Sequence, residues 1–596
     1  MKNIFVAILA YVSLYLTGLF IGNSDKLYNH FIYIILGIGL FFLYKKAEEK
    51  ASKKRLLYTI PFSLFLSILF VVGRVFDISK TITAFKSTHI IYIALLTIFL
   101  SAVFIILIDF IDNYKYKKII KNEQIRKYFK NSKINYLLLM LLFIVCLLPT
   151  FLAFYPGVFT TDAYVQVRYV LDGAMSAHHP ILHTLILYFF YNFGRVISNV
   201  NLGIALYTVS QIIALALAFT YTVYIMKKNK INEYFILFTV IIFALSPLNG
   251  IIASFITKDV YFSALFLIIV ASLLDRLWNE NEKDKIWKNI FLGLAMILFC
   301  LFRNQGIYVL MFFLLFQIIG NRKDKKLIML TMLAIIVSIL LNTFLGAITN
   351  ATKGSIGEML SLPLQQIARV VVTNEELLND SQKELIYNIV PKEDFEGYIP
   401  YVSDPIKAHV NEEYFKNHLL DFIKMWIELG IENPKEYIDA FMYLTYGYWY
   451  IDINMPHWNA YLPYDDSGNK LAKELGIYYD SKLPIYEESS KFNLMLARFQ
   501  RYPIISTFTS TAVGFVSLII LIMVILYKKQ YKYFNVFSMI IGLWGTVMLG
   551  PVIGIRYAYP LIIVVPLIIS IIFKIGSEEE KNEGKTKNSS FNTMLQ

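Results

Sequence analysis

The chain has 596 residues, of which 57% are hydrophobic, 16% aromatic and only 17% charged, a balance too apolar for a single soluble domain. Its formal net charge of +13 is dispersed among short loops and not gathered on one polar domain, which excludes the usual electrostatic footprint of a nucleic-acid-binding protein. The two cysteines, Cys146 and Cys300, lie inside apolar runs and offer neither a disulfide framework nor a zinc spacing.

Apolar runs of about 20 residues, long enough to cross a ~30 Å hydrocarbon layer, recur along the chain. In order they predict spans over 4–22, 31–44, 57–76, 89–109, 135–155, 201–226, 232–250, 259–277, 289–302, 306–320, 327–347, 505–527, 533–550 and 557–574. The expected fold is an all-α polytopic membrane protein with about 14 transmembrane helices. The first run has no small-residue cleavage site followed by a polar mature segment, so it is expected to remain as a span. Basic loops at Lys45–Arg55, Lys115–Lys133, Lys227–Lys230, Asn321–Lys326 and Lys528–Lys532 then fall on one side, which the positive-inside rule makes the cytoplasm. Both termini belong on that side too, in a multi-pass protein of the cell membrane.

The spans group into an N-terminal four-span region, 1–134, a membrane core, 135–347, and a C-terminal three-span region, 504–575. A charged tail, 576–596, follows and is expected to be disordered. Between the eleventh and twelfth spans lies a polar region, 348–503, which the same count puts outside. Its stretches "EELLNDSQKELIYNIV" and "EEYFKNHLLDFIKMWIEL" have helical periodicity, while "YLTYGYWYIDINMPHWNAYLPYDDSGN" is aromatic and turn-rich. A mostly helical extracytoplasmic domain is the expectation. Trp449 and Trp458 could stack on a sugar there or belong to an interfacial aromatic belt.

The stretch "YPGVFTTDAYVQVRYVLDGAMSAHHPILH", Tyr155 to His183, opens an outer loop over 156–200. Its continuation, "ILHTLILYFFYNFGRVI" (Ile181 to Ile197), would pass for a short span. A crossing there would turn every later basic loop outward, so it is expected as a helix lying on or dipping into the outer interface. No Walker-type glycine loop, GxGxxG, HExxH or GxSxG occurs, which removes the cheapest support for nucleotide-driven transport and zinc hydrolysis. The span centres are nearly clean of charge, unlike those of ion-coupled carriers. Charged residues stand instead at outer ends: Arg74, Lys258 and Asp259 in "FITKDVYF", Arg303 in "LFRNQGIY", and Arg556 in "GIRYAYPL". With Asp162, Asp172 and the histidines His178 and His179 of the outer loop, they predict a polar site suited to a lipid-anchored phosphate.

An acidic residue in "TTDAYVQ", a His/Pro motif in "HHPILH" and a membrane-hugging helix after it resemble the GT-C superfamily of membrane glycosyltransferases. Within it the pattern is similar to the protein O-mannosyltransferases and the bacterial transferases that add aminoarabinose or galacturonic acid to lipid A. In those families an acidic motif precedes "HPPL" or "KPPL", and a further aspartate opens a later span, which "TKDVYF" matches at Asp259. The resemblance covers roughly Asn135 to Gly320. It departs where the family often has two adjacent carboxylates, since Asp162 stands between Thr161 and Ala163. "EMLSLPLQQIARVV", Glu358 to Val371, looks like a feature of a less well described bacterial branch.

The resemblance implies transfer of a sugar from a polyprenyl-phosphate donor to a glycan, lipid or protein acceptor of the envelope, among membrane lipids and without nucleic acid. That chemistry needs a base for the acceptor hydroxyl and cations for the phosphate. Asp162 is the candidate base, or else a cap for the helix beginning at Ala163. Lys258, Arg303 and Arg556 are candidate phosphate ligands, although Lys258 and Arg303 could equally snorkel as interfacial anchors. His178 and His179 either contact substrate or satisfy loop hydrogen bonds. No spaced set of carboxylates and histidines accompanies them, so no metal ligand is assigned; no cofactor is implied, and a divalent metal stays open. The rival readings are a ligase or polymerase of lipid-linked glycan and a flippase for the same material.

Overall fold

The computed structural model describes residues 2–21, 31–114, 133–279, 285–453, 466–483 and 505–576. Most of the basic loop Lys115–Lys133, Trp458 and nearly all of the tail 576–596 lie outside them. Among the described residues the chain is helical, with only isolated bridges in place of strands. Helices of eight or more residues are numbered here in chain order. The first ten are α1 (Lys2–Ile21), α2 (Phe31–Lys50), α3 (Lys53–Ser79), α4 (His89–Asp112), α5 (Lys133–Ala153), α6 (Thr161–Leu171), α7 (Ile181–Val196), α8 (Val200–Lys228), α9 (Glu233–Leu245) and α10 (Pro247–Ser254). Next come α11 (Asp259–Trp278), α12 (Ile286–Phe302), α13 (Gln305–Gly320), α14 (Lys325–Ile348), α15 (Ser361–Asn374) and α16 (Asp380–Ile389). The last are α17 (Leu419–Glu432), α18 (Pro434–Thr445), α19 (Asp466–Glu474), α20 (Val513–Lys528), α21 (Phe534–Met548) and α22 (Ile555–Gly576).

Seven of these, α3, α4, α5, α8, α11, α14 and α22, are long and apolar enough to cross a membrane, and α9 with α10 make an eighth if the bent pair is one span. Shorter apolar helices, α12, α13 and α20 among them, fill predicted span positions with 16 or 17 residues. The chain is a polytopic helical membrane protein. The predicted span 232–250 is not straight: it bends by 45° between α9 and α10, at Pro247, which has no N–H to continue the ladder.

Helices α8, α11 and α22 form the centre, with Phe219, Phe262 and Tyr559 wholly buried. Phe219 stacks on Phe243 of α9 at 4.1 Å and Phe262 on Phe299 of α12 at 4.2 Å, offset contacts that fix helix rotation as well as burying area. The basic ends gather together. Asp112 of α4 meets Arg55 of α3 at 2.7 Å and Lys528 of α20 at 2.8 Å, and Asp324 meets Arg276 at 2.7 Å. Helix ends that the charge pattern assigns to one side therefore lie at one end of the bundle.

At the other end, part of the polar region has a core of its own, built on Leu364, Ile386, Phe395, Phe422 and Met425. Asp439 of α18 docks it, accepting from Arg369 at 2.9 Å, from the Thr81 hydroxyl at 2.9 Å and from the Ile82 N–H at 2.7 Å. The chain then turns back into the bundle, where Tyr446, Tyr448 and Tyr450 are fully buried and Trp449 nearly so. Trp449 is thus neither a stacking platform nor part of an exposed belt.

Over the predicted juxtamembrane segment 181–197, helix α7 pairs antiparallel with the first half of α8, through a turn at Ser198 (φ +55°). The pairing depends on Gly194 and Gly203, because a Cβ on Gly203 would come within 2.3 Å of the Phe190 carbonyl oxygen. His183 near the start of α7 reaches Tyr207 of α8.

Candidate functional site

Two loops are tied together before the helices they launch. The Val158 N–H donates to the Ser254 carbonyl at 2.8 Å and the Ile256 N–H to the Val158 carbonyl at 3.0 Å. The Thr160 hydroxyl donates to the Ile256 carbonyl at 3.1 Å. Gly157 permits this approach, having φ +136° and a hydrogen where a Cβ would strike the Thr208 hydroxyl. The starts of α6 and α11 are thereby held side by side, and with them Asp162, Lys258 and Asp259. Thr160 also accepts from the Ala163 N–H at 3.2 Å, so the cap of α6 is Thr160. Asp162 is left free of the capping role for contacts across the bundle.

Arg556 arrives from α22. The extended approach "GPVIG" makes its backbone bonds with the outer region: the Ser403 N–H donates to the Pro551 carbonyl at 3.0 Å, and Tyr448 donates to the Val552 carbonyl at 2.8 Å while accepting from the Gly554 N–H at 2.9 Å. A cation in the first turn of a helix is opposed by the macrodipole. Two carboxylates offset that here, with Arg556 Nη1 at 3.1 Å from Asp162 and Nε at 3.9 Å from Asp259.

The remaining charges close the cluster. Lys258 Nζ lies 3.5 Å from Asp162 and donates to His179 Nδ1 at 3.0 Å. Arg303 Nη1 lies 2.9 Å from Asp259. Tyr557 sits between the two guanidiniums, 4.6 Å from that of Arg303 and 4.9 Å from that of Arg556, and its hydroxyl accepts from Arg556 at 2.9 Å. Burial alone would raise the Asp162 pKa, but the charges of Arg556 and then Lys258 outweigh it and hold the carboxyl far below the usual carboxylate range. Burial, reinforced by Lys258, pushes His179 down to about 2, so its ring is neutral. Because an ammonium only donates, Nδ1 accepts and Nε2 carries the proton. Asp259 is only 1% exposed, and both of its oxygens, like Arg303 Nη1, have no hydrogen-bond partner among the described residues, the ion-pair contact being out of line.

Six predicted residues therefore converge: Asp162, His179, Lys258, Asp259, Arg303 and Arg556. Lys258 and Arg303 turn inward and not toward head groups. His178 keeps an edge contact with the His179 ring, centroids 4.7 Å apart, and lies 3.8 Å from Glu358. Asp172 pairs with Arg168 at the far end of α6, and Arg74 with Asp452. The chain reading passed over Tyr557 and the buried trio Gln166, His183 and Tyr207. Gln166 donates to the Asp162 carbonyl at 3.1 Å, which leaves its Oε1 to accept from His183 Nδ1 at 2.6 Å, while His183 Nε2 accepts from Tyr207 at 2.6 Å. The only sequence signal was the third histidine of "HHPILH". Among the described residues no three His, Cys, Asp or Glu side chains form a group able to hold a metal ion.

Residues 171–588 match the model of a family of unknown function, DUF6020, over more than two thirds of the chain. The chain belongs to DUF6020. No curated protein and no solved structure matches it. In this DUF6020 chain the matched region contains His178, His179, Lys258, Asp259, Arg303 and Arg556, while Asp162 lies ahead of it.

Proposed function

We propose that the chain is an integral membrane glycosyltransferase of GT-C type, with about 14 spans, both termini in the cytoplasm and its site on the outer face. It moves a sugar from a polyprenyl-phosphate donor to a glycan, lipid or protein acceptor of the cell envelope. The observation that carries this reading is one carboxylate, Asp162, shared by Arg556 at 3.1 Å and Lys258 at 3.5 Å at the end of an apolar bundle. The unspent hydrogen-bonding capacity of Asp259 and Arg303 beside it suits a polar ligand.

In the proposed reaction the donor phosphate takes over Arg556 and Lys258 from Asp162. Freed from those cations, Asp162 recovers basicity and accepts the proton of the acceptor hydroxyl. The acceptor oxygen bonds to the anomeric carbon as the bond from that carbon to the phosphate oxygen breaks, and polyprenyl phosphate leaves with its charge held by the same cations.

Binding of polyprenyl phosphate to the purified protein tests the phosphate role. Arg556→Lys keeps the charge but loses the guanidinium fork, and one charge-assisted contact is worth roughly 1.5 to 3 kcal/mol, so affinity is expected to fall about tenfold or more at unchanged protein yield. Equal affinity would return Arg556 to a structural role. Sidedness is tested separately, by single cysteines at the exposed positions Ala174 and Val196 in a background with Cys146 and Cys300 replaced by serine. Both are expected to react with an impermeant thiol reagent applied from outside. Reaction of Val196→Cys only after permeabilisation would reverse the downstream orientation.

A further inference from the structure

A second polar site lies at the far end of α11 from Lys258, about 30 Å away along that helix. It is a cavity of about 760 Å³, walled by the last turns of α11 and α13 and the first turns of α12, α14 and α21. Its floor includes buried Gln317 and Asp275. Both wall carboxylates are already matched by cations: Arg276 forks onto Asp324 at 2.7 and 2.8 Å, and Asp275 meets Lys228 at 2.8 Å and Lys288 at 3.2 Å. Among the described residues, Lys323 and Lys325 then stand on the exposed rim in addition to the cations that match the wall's carboxylates. This surplus fits an anion.

The cavity also opens beside an apolar flank. Phe291 lines it and is exposed, and Ile290 and Leu294 on the same helix are more than half exposed. Trp287, exposed next to Lys288, marks the depth at which indole rings settle in a head-group layer. A charged chamber joined to an exposed apolar helix flank matches a molecule with an anionic head and hydrocarbon tails. We infer that this cavity takes the phosphate-ester head group of an anionic phospholipid, with the acyl chains along the flank of α12.

The test uses the full-length protein in detergent, titrated with phosphatidylglycerol, with phosphatidylcholine and with glycerol phosphate, and read by native mass spectrometry. Wild type is expected to retain phosphatidylglycerol over phosphatidylcholine. The double variant Lys323→Ser, Lys325→Ser changes two exposed rim residues far from the candidate catalytic cluster and is expected to weaken that retention by roughly tenfold or more. Equal retention by both proteins, or no preference between the two lipids, would overturn the proposal. Lysine-dependent binding of glycerol phosphate without phosphatidylglycerol binding would overturn the lipid assignment and leave a site for a soluble phosphate ester.

Discussion

Asp162→Asn is expected to lower sugar transfer by about 100- to 10,000-fold while tightening the binding of polyprenyl phosphate. The two effects share one cause. Asparagine keeps the size of the side chain and α6 keeps its Thr160 cap, so the fold survives. The amide cannot accept the acceptor's proton, which removes the base. It also no longer neutralises Arg556 and Lys258, now 3.1 and 3.5 Å from the carboxylate, so both cations become more available to the phosphate. A merely structural Asp162 would move turnover and donor affinity in the same direction. Separate measurement of kcat and donor Kd decides between the two, and a fully active variant would remove Asp162 from the reaction.

Asp259→Asn is expected to act on the fold. Its carboxylate is 1% exposed and faces Arg303 at 2.9 Å and Arg556 at 3.9 Å. Removing one member of such a pair leaves the other charge buried and uncompensated, at a cost of about 3 to 5 kcal/mol. The variant should unfold at lower temperature in detergent. Adding Arg303→Met, which deletes the orphaned charge, should restore most of the stability but not the transfer activity. An Asp259→Asn protein as stable as wild type would mean that Arg303 finds another partner and that the pair does not hold the cluster together.

Much of this was legible in the chain. Charges clean of the span centres and placed at predicted outer ends put Lys258, Arg303 and Arg556 at one level, and the structure brings them within contact of Asp162 and Asp259. Their meeting could not be read, because it depends on hydrogen bonds between Val158 and the backbone of Ser254 and Ile256 and on Tyr448 gripping the approach to α22. Such backbone contacts leave no side-chain pattern. The cap of α6 was ambiguous because "TTD" holds three residues able to cap. Buried Tyr446, Tyr448 and Tyr450 carry the same composition as an interfacial belt, and only the return of the chain into the bundle separates the two. The pairing of α7 with α8 was not legible, because it is set by Gly194 and Gly203, whose missing side chains let α8 come close.

The central claim is transfer of a sugar from a polyprenyl phosphate, and the lipid pool reports it most directly. Lipid extracts would be compared by mass spectrometry from wild-type cells, from cells lacking the chain and from cells carrying only Asp162→Asn. A polyprenyl-linked sugar is predicted to accumulate in the second and third and to fall to the wild-type level when the wild-type chain is restored. Identical polyprenyl-linked pools in all three strains, under conditions where the protein is expressed, would contradict the account.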